Sequence, residues 1–251
     1  MSDLTIVVGD EHVGPGQNLR RATWLRRFIA DVNPSRVVHI GDFGTFDSLS
    51  GWDKDKRKKM EGRRFAKDVA ALKQYVHLME PNAFDSPYET ILLEGNHEDR
   101  IARYLDTNPV MEGQLDYATQ IGIKDQWKIL PYRRYYKHAG ISFTHIPIME
   151  NGKPVAGKYA TGKALEVCRD SIVFGHTHRL DYTAVHRHGQ PHLQEALNVG
   201  CYFEHIDDYA KGSMTSYWRG LVVLDHYKHG RFSFECVPMG LLKREYNNEK
   251  K

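Results

Sequence analysis

Short apolar runs rich in β-branched residues recur along the chain: Thr5-Ile6-Val7-Val8, Arg36-Val37-Val38-His39-Ile40, Thr90-Ile91-Leu92-Leu93, Ile141-Ser142-Phe143 and Ser171-Ile172-Val173-Phe174. Runs of this kind predict buried strands. Helical spacing separates the first three, over about residues 17–31 and 56–80, the second with an apolar face of Met60, Phe65, Val69, Leu72 and Val76. Strand, helix, strand in alternation predicts parallel pairing through right-handed crossovers. Two short helices follow, about 98–106 and 110–120, divided by Asn108-Pro109. The second half turns to strands at 134–136, 141–145, 171–174, 183–186 and 192–198 and a hairpin of 221–225 with 231–237, with one helix over 159–168. Helices early and hairpins late predict an α/β fold of two mixed sheets face to face with helices outside, a four-layer αββα sandwich. One domain is expected over residues 1–240, followed by a polar tail, 241–251, that frays.

Composition narrows the picture. No stretch approaches the roughly 20 apolar residues of a membrane span, and Met1-Ser2-Asp3 leads straight into a strand, so a soluble, unexported, cytoplasmic protein is expected. Cys168, Cys201 and Cys236 are an odd number without finger spacing and read as buried thiols in a reducing compartment. A net charge of +3 does not by itself mark a nucleic-acid binder. Local clustering matters more: Lys54, Lys56, Arg57, Lys58, Lys59, Arg63 and Arg64 stand against Asp53, Asp55 and Glu61. That run either draws in a polyanion or forms the solvated first turns of a helix, although helix N-termini disfavour cations.

Candidate chemistry sits just past the strand ends. The fragments are Asp10-Glu11-His12, Gly41-Asp42, Gly95-Asn96-His97-Glu98, Thr144-His145 and Gly175-His176-Thr177-His178. Where crossover helices build a sheet, the carboxyl ends of its strands converge on a crevice that binds ligands. The set is rich in carboxylate oxygen and imidazole nitrogen and holds no thiolate, which suits ions such as Mn²⁺, Fe²⁺ or Zn²⁺. One ion falls to Asp10, His12 and His178, another to Asn96, His145 and His176, with Asp42 bridging. Two ions so held would lower the pKa of bound water and direct hydroxide at a phosphoester. His97, outside the ligand list, is placed to protonate the departing oxygen or to donate to a nonbridging oxygen while the bond breaks. Each fragment alone is commonplace; the ordered series is not.

In that series the chain resembles the calcineurin-like metallophosphoesterases, whose signature is Asp-x-His, Gly-Asp, Gly-Asn-His and Gly-His-x-His with an isolated histidine before the last. The resemblance covers residues 4–178 and implies the four-layer sandwich, a dinuclear centre and the roles given above. Leu93-Glu94-Gly95-Asn96-His97-Glu98-Asp99-Arg100 and Phe174-Gly175-His176-Thr177-His178-Arg179 are similar to phage and prophage members, so the expected cytoplasm is that of a host if the chain is phage-encoded, and more distantly to DNA repair exonucleases. Departures bear on substrate. Protein phosphatases of the family carry Gly-Asp-x-x-Asp-Arg-Gly, where this chain has Gly41-Asp42-Phe43-Gly44-Thr45-Phe46-Asp47, without the phosphate-gripping arginine and with Thr45 for the aspartate that orients the catalytic histidine. Asp47 is expected to orient His97 instead. Arg100, Lys158 and Arg179 are candidate phosphate contacts, Gly152–Lys158 a candidate rim, Trp52, Tyr132, Tyr135 and Tyr136 candidate stacking residues, and His205 an outer residue of the site. The expected activity is phosphodiester hydrolysis in nucleic acid or a nucleotide, with Mn²⁺ favoured over Fe²⁺, Zn²⁺, Ni²⁺ or Co²⁺; a phosphomonoesterase and a catalytically silent metal-binding scaffold are the alternatives.

Overall fold

Two mixed sheets lie back to back in the computed structural model, which describes residues 3–80, 87–205 and 216–247. Strands β1 (Leu4–Val8), β2 (Arg36–His39), β3 (Glu89–Leu93) and β4 (Lys128–Leu130) pair in parallel, and β10 (Gly220–His226) and β11 (Phe232–Pro238) extend the β1 edge antiparallel, giving the order β11-β10-β1-β2-β3-β4. The second sheet is built of β5 (Tyr136–His138), β6 (Ile141–Thr144), β7 (Ser171–Phe174), β8 (Leu180–Val185) and β9 (Gln194–Val199) in the order β5-β6-β7-β9-β8; β6, β7 and β9 are parallel.

Strand alternation divides the core as period 2 requires. Val7, Val38, Ile91 and Leu93 point inward to meet Phe143, Val173, Leu197 and Val222 between the sheets. Ile6, Val8 and Val37 point outward, under α1 (Arg20–Val32), α3 (Phe65–Met79), α5 (Tyr117–Ile121) and α7 (Met239–Tyr246). On the far side, Ile172, Phe174 and Ala196 pack under α6 (Ala160–Val167). These are the four layers that the sequence predicts.

Local corrections have local causes. The long helix expected over 56–80 is two, α2 (Arg57–Met60) and α3, because Glu61 leaves helical geometry and Gly62 takes φ +74°. The helix expected over 110–120 shrinks to α5, with a 3-10 turn at Pro109–Met111 before it and Gly113 at φ +77° between. α4 (Asp99–Thr107) matches expectation, and β4 has too few residues for a pattern to register. The tail does not fray where expected: α7 holds as far as Tyr246 because Met239 and Leu242 are buried and the Tyr246 carbonyl accepts from Arg27 Nη1 at 2.8 Å; residues 248–251 lie outside the described part. All three cysteines are free thiols, with Cys201 buried and Cys168 and Cys236 half-buried. Among the described residues no helix is long and apolar enough to cross a membrane.

Candidate metal centre

The parallel strands of both sheets deliver their carboxyl ends to one place. Asp10 and His12 follow β1, Asp42 follows β2, Asn96 and His97 follow β3, His145 follows β6, and His176 and His178 follow β7. Backbone bonds join these turns across the sheets: Glu11 and His12 amides donate to the Asp42 carbonyl, Gly175 to that of His145, and Tyr202, just past β9, to that of Asp10. Glu98 ties two of the loops, its Oε1 accepting from the Gly44 amide and its Oε2 from that of Gly95, both at 2.8 Å.

Turning the chain this tightly strains it. His12, Asp42, His176 and His178 have φ of 45°, 49°, 68° and 58°, a region unfavourable to side chains and concentrated at functional sites. Two glycines make room. A Cβ on Gly95 would collide with Asp42 Oδ1 and one on Gly175 with Asp10 Oδ1, so both carboxylates lie against bare backbone.

The side chains converge in two groups. In one, His178 Nε2 is 3.0 Å from Asp10 Oδ2 and 3.3 Å from His12 Nε2. In the other, His145 Nε2 is 3.1 Å from Asn96 Oδ1 and 3.2 Å from His176 Nδ1. Asp42 Oδ2 stands between them, 3.6 Å from His12 Nε2 and 3.5 Å from His145 Nε2. His145 donates through Nδ1 to the Ile40 carbonyl at 3.1 Å, which fixes its tautomer and leaves Nε2 as a lone pair aimed inward.

This arrangement fits divalent cations. Imidazole nitrogens face one another with too few protons to satisfy all of them, and Asp10 Oδ2 is fully buried against the His178 ring nitrogen. Within each trio, Asp10-His12-His178 and Asp42-His145-His176, the candidate ligand atoms lie within 4.8 Å of one another; so do those of His12, Asp42 and His97. Burial holds His12 and His145 below the usual histidine range and His176 at about 4, so at neutral pH they carry the lone pairs that a metal needs. Burial, reinforced by the neighbouring Asp10 charge, raises the Asp42 pKa, and burial with Asp42 beside it raises that of Glu98 well above the carboxylate norm. Cations between the carboxylates would relieve that repulsion.

His97 lies beside the two groups, its ring 4.4 Å from that of His12 and its Nε2 4.0 Å from Asp42 Oδ2. Its orientation corrects the expectation for Asp47: Nδ1 donates to the Thr45 carbonyl at 2.8 Å. Asp47 instead accepts from Arg100 Nη1 at 2.8 Å, and Arg100 Nη2 reaches 3.3 Å from His97 Nε2. A main-chain carbonyl does the orienting, so no side-chain signal at position 45 could have announced it.

A cavity of about 840 Å³ opens over the cluster, lined by His12, Asp42, Asn96, His97, His176 and His178 and also by Arg100, Trp52, Lys56, Lys59 and Arg63. Of the basic run, Lys56, Lys59 and Arg63 line this cavity, while Arg57–Met60 forms the short helix α2. Lys158 and Arg179 are not among its lining residues; nor is any residue of the 152–158 segment. Lys158 lies instead over the Tyr159 ring. Tyr136 is core, Tyr135 lies near Cys168, and Tyr132 is 6.2 Å from the His145 ring. His205 touches the site through Gln17, which donates to the His12 carbonyl. Thr177, which stood in the motif without a role, and Tyr217, of which the pattern gave no sign, also line the cavity, the Tyr217 ring 4.6 Å from that of His178. Glu98 stood in the motif, but its work as a clamp needed the fold.

Residues 4–180 match the family model described as calcineurin-like phosphoesterase. The Gene 54 protein of Mycobacterium phage D29 is 27% identical over 187 residues, 71% of this chain and 70% of that protein. The Gene 54 protein of Mycobacterium phage L5 is 27% identical over 189 residues, with the same shares of each chain.

Proposed function

This chain belongs to the calcineurin-like phosphoesterase family, and we propose that the bond it hydrolyses is a phosphodiester of nucleic acid or a nucleotide. The family and the clustered histidines and aspartates make it a metal-dependent phosphoesterase. What favours a diester is the cationic wall: Lys56, Lys59, Arg63 and Arg100 line the same cavity as the ligand cluster and suit a substrate that carries charge beyond the reacting phosphate.

In this reading Asp10, His12 and His178 would hold one ion and Asn96, His145 and His176 the other, with Asp42 standing between the two groups. Bound there, two divalent ions supply an activated water at neutral pH and neutralise charge on the transferring oxygens. Asn96, being neutral, adds an oxygen without reducing the positive charge that a phosphate meets. His97, its Nδ1–H held by the Thr45 carbonyl, presents Nε2 to the leaving oxygen, to which the doubly protonated ring would give its Nε2 proton. Arg100, steadied by Thr45 and Asp47 and standing beside His97 Nε2, is placed to meet a nonbridging oxygen. Mn²⁺ is the favoured ion, on the mixed oxygen and nitrogen donor set.

Side-by-side hydrolysis of bis-p-nitrophenyl phosphate and p-nitrophenyl phosphate in Mn²⁺ tests this. Preference for the diester is expected. Preference for the monoester would reassign the protein as a phosphatase.

A further inference from the structure

Trp52 lines the cavity with 87% of its surface exposed, whereas Trp24 and Trp127 are buried in the core. An indole left in water forgoes one of the larger burial gains open to any side chain. The loop that holds it is anchored. The Asp53 amide donates to the Ser50 carbonyl at 3.2 Å, and the buried Asp53 carboxylate gathers Lys56 at 2.7 Å, Lys59 at 2.8 Å and Arg63 at 3.6 Å. Burial works to raise the Asp53 pKa, but Lys56 and Lys59 hold it at about 2, so this anchor stays charged. Outside the ligand cluster the lining carries four cations, Lys56, Lys59, Arg63 and Arg100, against two carboxylates, Asp47 and Asp53. Lys56 Nζ also lies 5.7 Å from the centre of the Trp52 ring. A flat aromatic surface thus stands on a fixed loop, beside excess positive charge, in the cavity that holds the reactive cluster.

We propose that Trp52 is a stacking platform for an unpaired nucleobase, with Lys56, Lys59 and Arg63 meeting the phosphate attached to it. This inference rests on the phosphodiesterase reading and narrows the substrate to single-stranded nucleic acid or a free nucleotide. The reason is geometric: every base has a flat face to offer, but in a duplex both faces of an inner base are covered by its neighbours. Cation and ring side by side match the way nucleotides carry phosphate and base.

The test compares wild type, Trp52→Ala and Trp52→Phe in Mn²⁺ on a thymidine dodecamer and on a dodecamer of the same charge made of tetrahydrofuran abasic units. Trp52→Ala is expected to raise KM for the thymidine strand about tenfold, the size of one lost base–aromatic stack. KM for the abasic strand should move less than twofold, and Trp52→Phe should stay near wild type. No change on the thymidine strand, or an equal rise on both strands, would overturn the platform. Thymidine 5′-p-nitrophenyl phosphate distinguishes the two sources: a loss there as well supports recognition of a single nucleotide, and a loss confined to the dodecamer supports recognition of a strand. Quenching of tryptophan emission by the thymidine dodecamer, in wild type against Trp52→Phe, keeps the two readings separable. Quenching that depends on Trp52 in a protein that hydrolyses only monoesters would sink the diesterase reading and leave the platform standing; neither quenching nor strand cleavage would remove both.

Discussion

Single atoms decide this site. In the proposed mechanism His97 acts through Nε2, since its Nδ1 is committed to the Thr45 carbonyl and the ligands proposed for the ions are other residues. His97→Ala is therefore expected to leave Mn²⁺ binding by calorimetry near wild type while turnover falls about 10²- to 10⁴-fold, the usual weight of a positioned proton donor. A variant that loses the metal as well would make His97 a ligand, in line with its place beside His12 and Asp42. Gly95 tests the reverse situation, where the missing atom matters. Its φ is not in the left-handed region, so Gly95→Ala introduces collision with the Asp42 carboxylate without changing backbone preference. The expected cost is about 1–3 kcal/mol of stability, measured by urea unfolding, together with weaker Mn²⁺ binding.

At the scale of elements, helices and strands act through what they seal. α7 closes the first helical layer: Met239 and Leu242 are buried, Lys243 lies over Trp24, and the Tyr246 hydroxyl donates to Asp31 at 2.7 Å. Deleting residues 239–251 should cost about 3–6 kcal/mol in unfolding free energy, from two large apolar side chains at about 1.5–3 kcal/mol each. The seam between the sheets carries a pH dependence of its own. His226 on β10 donates or accepts at Thr5 Oγ1 over 2.7 Å, and its ring is 5.1 Å from that of His138 on β5. Burial pushes His226 down to about 4 against the pull of Asp3, with His138 and Arg36 adding to the depression. Its folded pKa lies below the unfolded value of roughly 6.5, so as pH falls from about 6.5 to about 4 the unfolded chain binds a proton that the folded one refuses. Stability from this group is full above that window and is lost through it. The slope of Tm against pH between those limits should flatten in His226→Gln, measured on metal-free protein so that the site ligands contribute equally to both.

For the whole molecule, the proposed ligands belong to turns from both sheets, so an ion held between them should oppose unfolding of the sandwich as a unit. Metal at about 100 times its Kd adds about 2.7 kcal/mol. For a chain of this size that is a rise in Tm of roughly 5–10 °C. EDTA should reverse it, and Asp42→Asn, which weakens the shared carboxylate, should abolish most of it. Failure of any divalent ion to shift Tm in wild type would favour a scaffold that has lost its metals. The strand–helix alternation, the four layers and the ligand series were open to reading because each depends on periodicity or on a motif immediately after a strand, both local properties. Other features depended on which distant atoms meet. Glycine at 62 ended a helix whose apolar spacing ran on past it, and α7 formed because a polar segment found a buried place for Met239 and Leu242. By itself the sequence determined the αββα architecture and which residues gather at the strand ends, since hydrophobic alternation and strand-end position are written residue by residue. Only the tertiary structure decided that Thr45 rather than Asp47 orients His97, that Glu98 clamps two loops, and that Lys56, Lys59 and Arg63 line the cavity beside Trp52, because each of these rests on contacts between segments whose spacing along the chain carries no period.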